Sequence, residues 1–410
     1  MRGTRAGAFP LLLLSLIGLL ALPAQAQVPA PPRVDASAYY LMDVQSGEVV
    51  AQKAASRPFQ PGSLAKLMTA FLAFQSLETG RIHADDPVRI SEAVWRMDGT
   101  QMFLEAGEQV PVRRLLAGLA VANGNDAARA LAGYIAGGTD TFTRMMNQQA
   151  RALGMSETHF TNPSGLPTPQ MQTTARDMAM LARALVRRFP EHVDLFARQR
   201  ITHNGITQHN RNRLLGWIKG VNGLLTGHTG QDGYHLAVTA GRKGRKMQLV
   251  GITLGASTSK GRFNGMQAML AHGFRFYQTV PLFAGGQPVE TARVWQGVRE
   301  QVPMVLDQPL TLTIPRRARQ ALEVIPHLRT PIRAPVQAGE ALGQLRVTLD
   351  SRNLARRPLV AERTVKAAGW IPWLMDAAQL RWRNFWREQR RSLLADGKPE
   401  KREKGGSSRS

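Results

Sequence analysis

The chain has 410 residues, 43% of them apolar, enough for one large domain and a smaller one. Lysine plus arginine number 53 against 29 for aspartate plus glutamate, a formal charge of +24 that points first to nucleic acid or an anionic membrane surface. Cysteine is absent, which excludes disulfide frameworks, cysteine-ligated metal centres and thiol catalysis.

The N-terminus narrows the field. Arg2 and Arg5 precede an apolar run from Phe9 to Leu22, followed by the small-residue site Ala24-Gln25-Ala26. That three-part order is the layout of a secretory signal peptide over 1–26, with a mature chain from Gln27. The run is too short to span a bilayer, which takes about 20 residues. An exported protein does not meet the chromosome, so nucleic acid is not an expected partner.

Strand and helix patterns then alternate. Tyr39–Asp43 and Gly47–Val50 read as a hairpin, and Ser63–Leu77 is apolar on nearly every side, the mark of a buried helix. Amphipathic helices are predicted at 112–121, 126–135, 140–153 and 175–187. Tyr234–Gly241 and Met247–Gly255 form a second hairpin across the turn Arg242–Arg245. This first domain is expected to span 27–282. Proline then becomes frequent, and alternation in Leu310–Ile314 and Leu345–Leu349 predicts a small β-sandwich over 283–368.

From Gly369 to Leu394, Ile371, Leu374, Ala378, Trp382 and Phe385 recur at helical spacing, with Trp370, Trp373 and Trp386 beside them. Arg381, Arg383, Arg387, Arg390 and Arg391 flank this aromatic face. The pattern is that of a helix lying in a bilayer interface, where each basic residue near an anionic leaflet adds about 1 kcal/mol. A helix docked on the β module would share the periodicity. The tail 395–410 has no large apolar residue and is expected to be disordered.

Chemistry concentrates in three segments. Ser63-Leu64-Ala65-Lys66 opens the buried helix and sets an amine one turn from a hydroxyl. A serine needs a neighbouring base to become a nucleophile, and burial makes a lysine easier to deprotonate. The spacing alone is weak, since Ser257-Thr258-Ser259-Lys260 repeats it in an apparent loop. Asn123-Gly124-Asn125-Asp126 lies between two helices, and Thr226-Gly227-His228-Thr229-Gly230 leads into a strand where small residues let backbone approach a ligand. The nine histidines show no H-E-x-x-H or similar spacing, and no cofactor or metal is implied.

Together with Met102-Phe103-Leu104, Asn162-Pro163-Ser164-Gly165-Leu166, Ala175-Arg176-Asp177-Met178, Asn210-Arg211-Asn212 and Gly273–Tyr277, these motifs occur in an order that resembles the low-molecular-mass penicillin-binding proteins, the serine D-alanyl-D-alanine carboxypeptidases. The resemblance covers nearly the whole mature chain. It implies a penicillin-recognising α/β (α+β) domain of the transpeptidase and β-lactamase type, then the β-sandwich and the amphipathic helix. It further implies acyl transfer at the peptidoglycan stem peptide on the periplasmic face of the inner membrane, with β-lactams as inhibitors. Ser63 would be the nucleophile and Lys66 its general base. The N–H groups of Ser63 and His228 would form the oxyanion hole, and Asn125 would orient Lys66 and the substrate amide. A β-lactamase would need a deacylating glutamate, and Asn162–Gln172 contains no acidic residue.

Two motif positions depart from the family. Asn123 stands where serine is usual, and Leu225 where lysine is usual, ahead of Thr226-Gly227-His228. An amide cannot relay a proton as a hydroxyl can, and leucine cannot hold a substrate carboxylate. Arg262, with His228, is the expected replacement anchor, because a guanidinium binds a carboxylate bidentately. The alternative is a catalytically impaired homologue that binds cell-wall peptide or β-lactam.

Overall fold

The computed structural model describes residues 28–369, apart from Lys243 and Arg245, together with Arg381 and Trp382. The expected signal segment 1–26 and most of 369–394 and 395–410 lie outside the described residues. No helix among the described residues is long and apolar enough to cross a membrane.

The first domain is built on an antiparallel sheet. Its strands run in the order Val49–Lys53, Ala38–Asp43, Gln248–Ala256, Gly233–Gly241, Val221–Gly223, and Thr226–Thr229 also pairs with Gly233–Gly241. In the first strand Tyr40 and Met42 join one core cluster and Tyr39 and Leu41 another, as a period of two requires. Every residue of Ala38–Asp43 is buried, so helices must cover both faces. Helices Lys66–Glu78 and Ala175–Arg188 contribute to the first cluster and helix Ser259–Phe276 to the second.

Helix Ser259–Phe276 was not legible in the periodicity, because glycines interrupt it. They have a packing reason. A Cβ on Gly273 would lie 2.8 Å from Leu249 Cδ1, and one on Gly265 3.0 Å from Val34 Cβ. The helix rides close on the sheet where a larger residue would hold it off. The second S-x-x-K sits at its N-terminus. There Ser257 Oγ donates to Asp35 at 2.8 Å, Thr258 caps the helix, and Lys260 is exposed. That copy is a helix cap.

The β module has its own core, from Val280 to Val365. A six-stranded sheet runs in the order Leu322–Leu328, Ala341–Leu349, Arg352–Ala361, Gln301–Val305, Pro288–Trp295, Ile332–Arg333. Beside it Tyr277–Phe283 pairs with Leu310–Pro315. These two strands also join the module to the first domain: Thr279 Oγ1 donates to Asp43 at 2.8 Å, and Ser46 Oγ donates to Thr313 Oγ1 at 2.8 Å.

Candidate active site

Ser63 sits in the 3₁₀ turn Gly62–Ala65, and Lys66 opens the α-helix that follows. The turn is wedged against strand Thr226–Thr229. Gly62 has φ +52°, and a Cβ there would come within 3.3 Å of the His228 carbonyl oxygen. Glycine meets both the left-handed backbone and the close approach.

Lys66 is fully buried. Its Nζ lies 3.0 Å from Ser63 Oγ and 2.8 Å from the Ser164 carbonyl. Burial pushes its pKa down to about 7; the carboxylate of Asp126 opposes the shift and the guanidinium of Arg211 adds to it. The amine therefore stands near half-protonation at neutral pH, which a general base requires.

The carbonyl that holds Lys66 is itself fixed. Asn162 Oδ1 accepts from the N–H groups of Ser164, Gly165 and Leu166 and from Ser164 Oγ, while its Nδ2 donates to the Leu166 carbonyl. Thr69 Oγ1 donates to the Pro163 carbonyl at 2.7 Å, tying the loop to the lysine helix. Asn162 and Ser164 stand out in the sequence only as part of a motif, because nothing local shows that this segment meets Lys66.

Asn125 has another partner than expected. Its Nδ2 donates to the Asp98 carbonyl at 2.7 Å, its N–H donates to the Thr100 carbonyl at 2.6 Å, and Lys66 contacts Ser63 and Ser164 instead. Orientation of Lys66 thus falls to Ser164. Next to it, the buried carboxylate of Asp126 accepts from the N–H groups of Met102, Leu104 and Ala127 and pins the Met102–Leu104 segment. Asn123 is buried in the left-handed region at φ +60°. Its Nδ2 donates to the Thr226 carbonyl at 3.0 Å, and its Oδ1 is buried with no partner among the described residues.

On strand Thr226–Thr229, Thr226 and Gly227 are buried and His228 is exposed, its ring 4.4 Å from that of Tyr234. Leu225 is 2% exposed and belongs to the main apolar core, so it offers the cleft no polar group.

Arg262 departs from the expected anchor. Both protons of Nη1 are spent on the carbonyls of Gly227 (2.8 Å) and His235 (3.0 Å), and Nη2 donates to Ser259 Oγ. The residue lies in the first turn of the helix that packs on the sheet, so its side chain reaches the strands from below. It rivets Thr226–Thr229 and presents no open fork. Burial, followed by unfavourable proximity to Arg213 and Arg211, lowers its pKa to about 10, which leaves it cationic at neutral pH.

Arg211 is the residue sequence reasoning passed over. It is exposed in a loop held by Asn210, whose Nδ2 donates to the carbonyls of Phe196 and Arg198, and by Asn212, whose Nδ2 donates to the Gly223 carbonyl at 3.0 Å. Its field reaches both Lys66 and Arg262. The signal was present in Asn210-Arg211-Asn212, but only the fold shows the charge beside the lysine. Among the described residues no group of histidine, aspartate and glutamate could hold a metal ion.

A serine three residues ahead of a buried lysine, wedged between a sheet-edge strand and a largely buried helix, defines an S-x-x-K acyl-transfer site of the penicillin-recognising class. Comparison with known proteins agrees. The D-alanyl-D-alanine carboxypeptidase family profile matches residues 25–258, and that of the C-terminal domain of penicillin-binding protein 5 matches 277–367. D-alanyl-D-alanine carboxypeptidase DacA of Escherichia coli (strain K12) is 34% identical over 362 residues, covering 86% of this chain and 89% of that protein. The crystal structure of penicillin-binding protein 5 from Haemophilus influenzae superposes with a TM-score of 0.80 at 33% identity, covering 82% of this chain and 99% of that one. Penicillin-binding protein D2 from Listeria monocytogenes, solved in its ampicillin-bound form, is 29% identical with a TM-score of 0.55 and covers 60% of this chain. The chain belongs to the D-alanyl-D-alanine carboxypeptidase family.

Proposed function

We propose that this protein removes the terminal D-Ala from peptidoglycan peptides ending in D-Ala-D-Ala, through an acyl-enzyme on Ser63. The observation that carries the reading is the buried Lys66 amine 3.0 Å from the Ser63 hydroxyl, with its pKa lowered to about 7. Neutral Lys66 takes the Ser63 proton as Oγ attacks the penultimate D-Ala carbonyl. The N–H groups of Ser63 and His228 receive the developing oxyanion. Collapse breaks the peptide bond, and the proton held by Lys66 passes to the departing amine of D-Ala. Water, deprotonated by the same lysine, then attacks the ester and frees Ser63.

In this reading Leu225 and Arg211 divide the task of the missing lysine. Leucine keeps the wall dry, which disfavours charge on Lys66, and Arg211 supplies the positive field that opposes its protonation. Arg211 also becomes the exposed cation available to the substrate carboxylate, with Thr226, Gly227 and His228 as the strand along which the peptide lies. Asn123 and Asn125 hold the wall opposite.

A second reading, a homologue that binds cell-wall peptide or β-lactam but turns over slowly, draws on Asn123, whose amide stands where a proton-relaying hydroxyl is usual. A positioned acid–base partner is worth about 10²–10⁴-fold in rate. Release of D-Ala from a pentapeptide by the wild type and by Ser63→Ala separates the readings. Serine-dependent release supports the enzyme, whereas binding without release supports the second.

Export through 1–26 and peripheral attachment to the periplasmic face of the inner membrane through 369–394 complete the proposal. Support comes from the signal-like order of the first segment and the aromatic and arginine pattern of the last. The boundaries 27–282 and 283–368 for the catalytic and β-sandwich domains belong to the same reading.

A further inference from the structure

Positive charge is spread unevenly along the chain. From Leu195 to Val289 the sequence holds twelve lysines and arginines and one acid, Asp232. Asp232 accepts from the Gln60 N–H, close to the turn that carries Ser63, at the start of strand Gly233–Gly241. The far end of that strand therefore has cations with no acid of this stretch to balance them.

A groove of about 680 Å³ opens there, between the loop before Val221–Gly223, the strand end at Gly241 and Arg242, and helix Ser259–Phe276. Leu270, Ala271 and Phe274 give it an apolar floor. Lys219 and Arg242 stand exposed at its rim, the Arg242 guanidinium 4.7 Å from the centre of the Phe274 ring. No acidic side chain belongs to the lining. Trp217 completes the rim and is 84% exposed, more than any other large apolar side chain among the described residues. A fixed turn presents it: the N–H groups of Trp217 and Ile218 both donate to the carbonyl of the buried Leu214. The indole is thus held in water, an apolar surface without cover and the mark of an interaction site. Helix Ser259–Phe276 begins beneath Thr226–Thr229, where Arg262 holds the Gly227 carbonyl, and Phe274 lies about 18 Å further along its axis. The groove is separate from the acylation site.

We infer that this surface rests on an anionic phospholipid leaflet, with Trp217 at headgroup depth and Lys219 and Arg242 against the phosphates. Indoles favour that depth, and basic clusters gather at anionic headgroups. A glycan would call for amide or hydroxyl side chains along the groove, and Gln267 is the one such side chain on its lining. A small anion would call for a buried cation, and both cations are exposed. This contact is additional to the one expected at 369–394, and it brings the first domain itself onto the bilayer surface.

The test uses the full mature chain and vesicles of mixed phosphatidylglycerol and phosphatidylcholine. Hydrogen–deuterium exchange should slow at the amides of 213–220 when vesicles are added, a local signal that a contact through 369–394 alone does not move. In vesicle sedimentation, Lys219→Glu combined with Arg242→Glu should weaken binding by about 25-fold or more, each cation near an anionic leaflet being worth about fivefold. Trp217→Ser, which leaves the charge unchanged, should weaken it by about tenfold. The matched control is Arg144→Glu combined with Arg151→Glu on helix Thr139–Ala152, which packs into the core cluster on the other face of the sheet. It should stay within about threefold of the wild type, since charges beyond a Debye length are screened. Thermal melting checks that each variant folds. Unchanged exchange at 213–220, unchanged affinity in the groove variants, or an equal loss in the control overturns the inference. So does retention on isolated peptidoglycan that depends on Trp217 while vesicle binding does not, which would assign the surface to the glycan.

Discussion

Asn123 bridges the cleft to Thr226: the side-chain amide of one wall donates to the main-chain carbonyl of the other at 3.0 Å. The second-motif residue therefore holds the helical side of the site against the strand that carries Thr226, Gly227 and His228. A serine at this position has too short a side chain to span the same gap. The substitution of asparagine for serine exchanges a relay for a tether.

Replacing Asn123 by alanine should destabilise the protein by about 1–3 kcal/mol. It removes a buried hydrogen bond and strands the Thr226 carbonyl, and alanine fits the left-handed backbone poorly. Urea unfolding measures this directly. Asn123→Gly relieves the backbone while losing the tether, so it should unfold at a urea concentration between those of the wild type and Asn123→Ala.

The lowered pKa of Lys66 sets the acid limb of activity. Acylation needs the neutral amine, so the rate should fall as pH drops through about 7. The charge of Arg211 holds that pKa down, and Arg211→Gln should move the acid limb to higher pH. A profile of acylation rate against pH, with the variant displaced to the acid side or not at all, would contradict the role given to Arg211.

Arg262→Ala should act on stability before specificity. The guanidinium binds the Gly227 and His235 carbonyls from within the core, and truncation removes a charge-assisted bond from each. A loss of about 2–5 kcal/mol is expected, since the change combines a cavity with the loss of two charge-assisted hydrogen bonds. Arg262→Lys keeps the charge but cannot span both carbonyls, and it should recover only part of the loss in melting temperature.

His235 gives the fold an acid sensitivity. The imidazole is buried beneath the strand, and burial drives its pKa down to about 4. The folded state thus resists protonation more than the unfolded chain, whose histidine titrates near 6.5. Its contribution is whole above about pH 6.5 and declines as pH falls towards 4. Chemical unfolding at pH 7 and pH 5 should show this decline in the wild type and a smaller one in His235→Asn.

Local sequence carried much of this architecture. The hairpin at Tyr39, the all-apolar helix after Ser63 and the alternation in Leu310–Ile314 each announce an element through neighbours alone, and each is present. Helix Ser259–Phe276 was hidden because its glycines serve contacts with Val34 and Leu249, distant in the chain. The same reason hid the partners of the site. Ser63 and Lys66 are three residues apart and meet in any helix, whereas Lys66 and Ser164 meet only through the fold. Arg262 reads as a carboxylate anchor until the helix that carries it is docked on the sheet and its guanidinium is turned onto the Gly227 and His235 carbonyls. Leu225 and Asn123 were visible as departures, but a linear pattern does not show that one enters the core and the other tethers the cleft.

The acyl-enzyme on Ser63 is the claim on which the rest depends. Intact-mass spectrometry of the purified protein after brief incubation with benzylpenicillin tests it most directly. A mass increase equal to one penicillin, mapped by peptide analysis to Ser63 and absent from Ser63→Ala, is the predicted result. A folded protein that gains no mass, or gains it on another residue, would contradict the account.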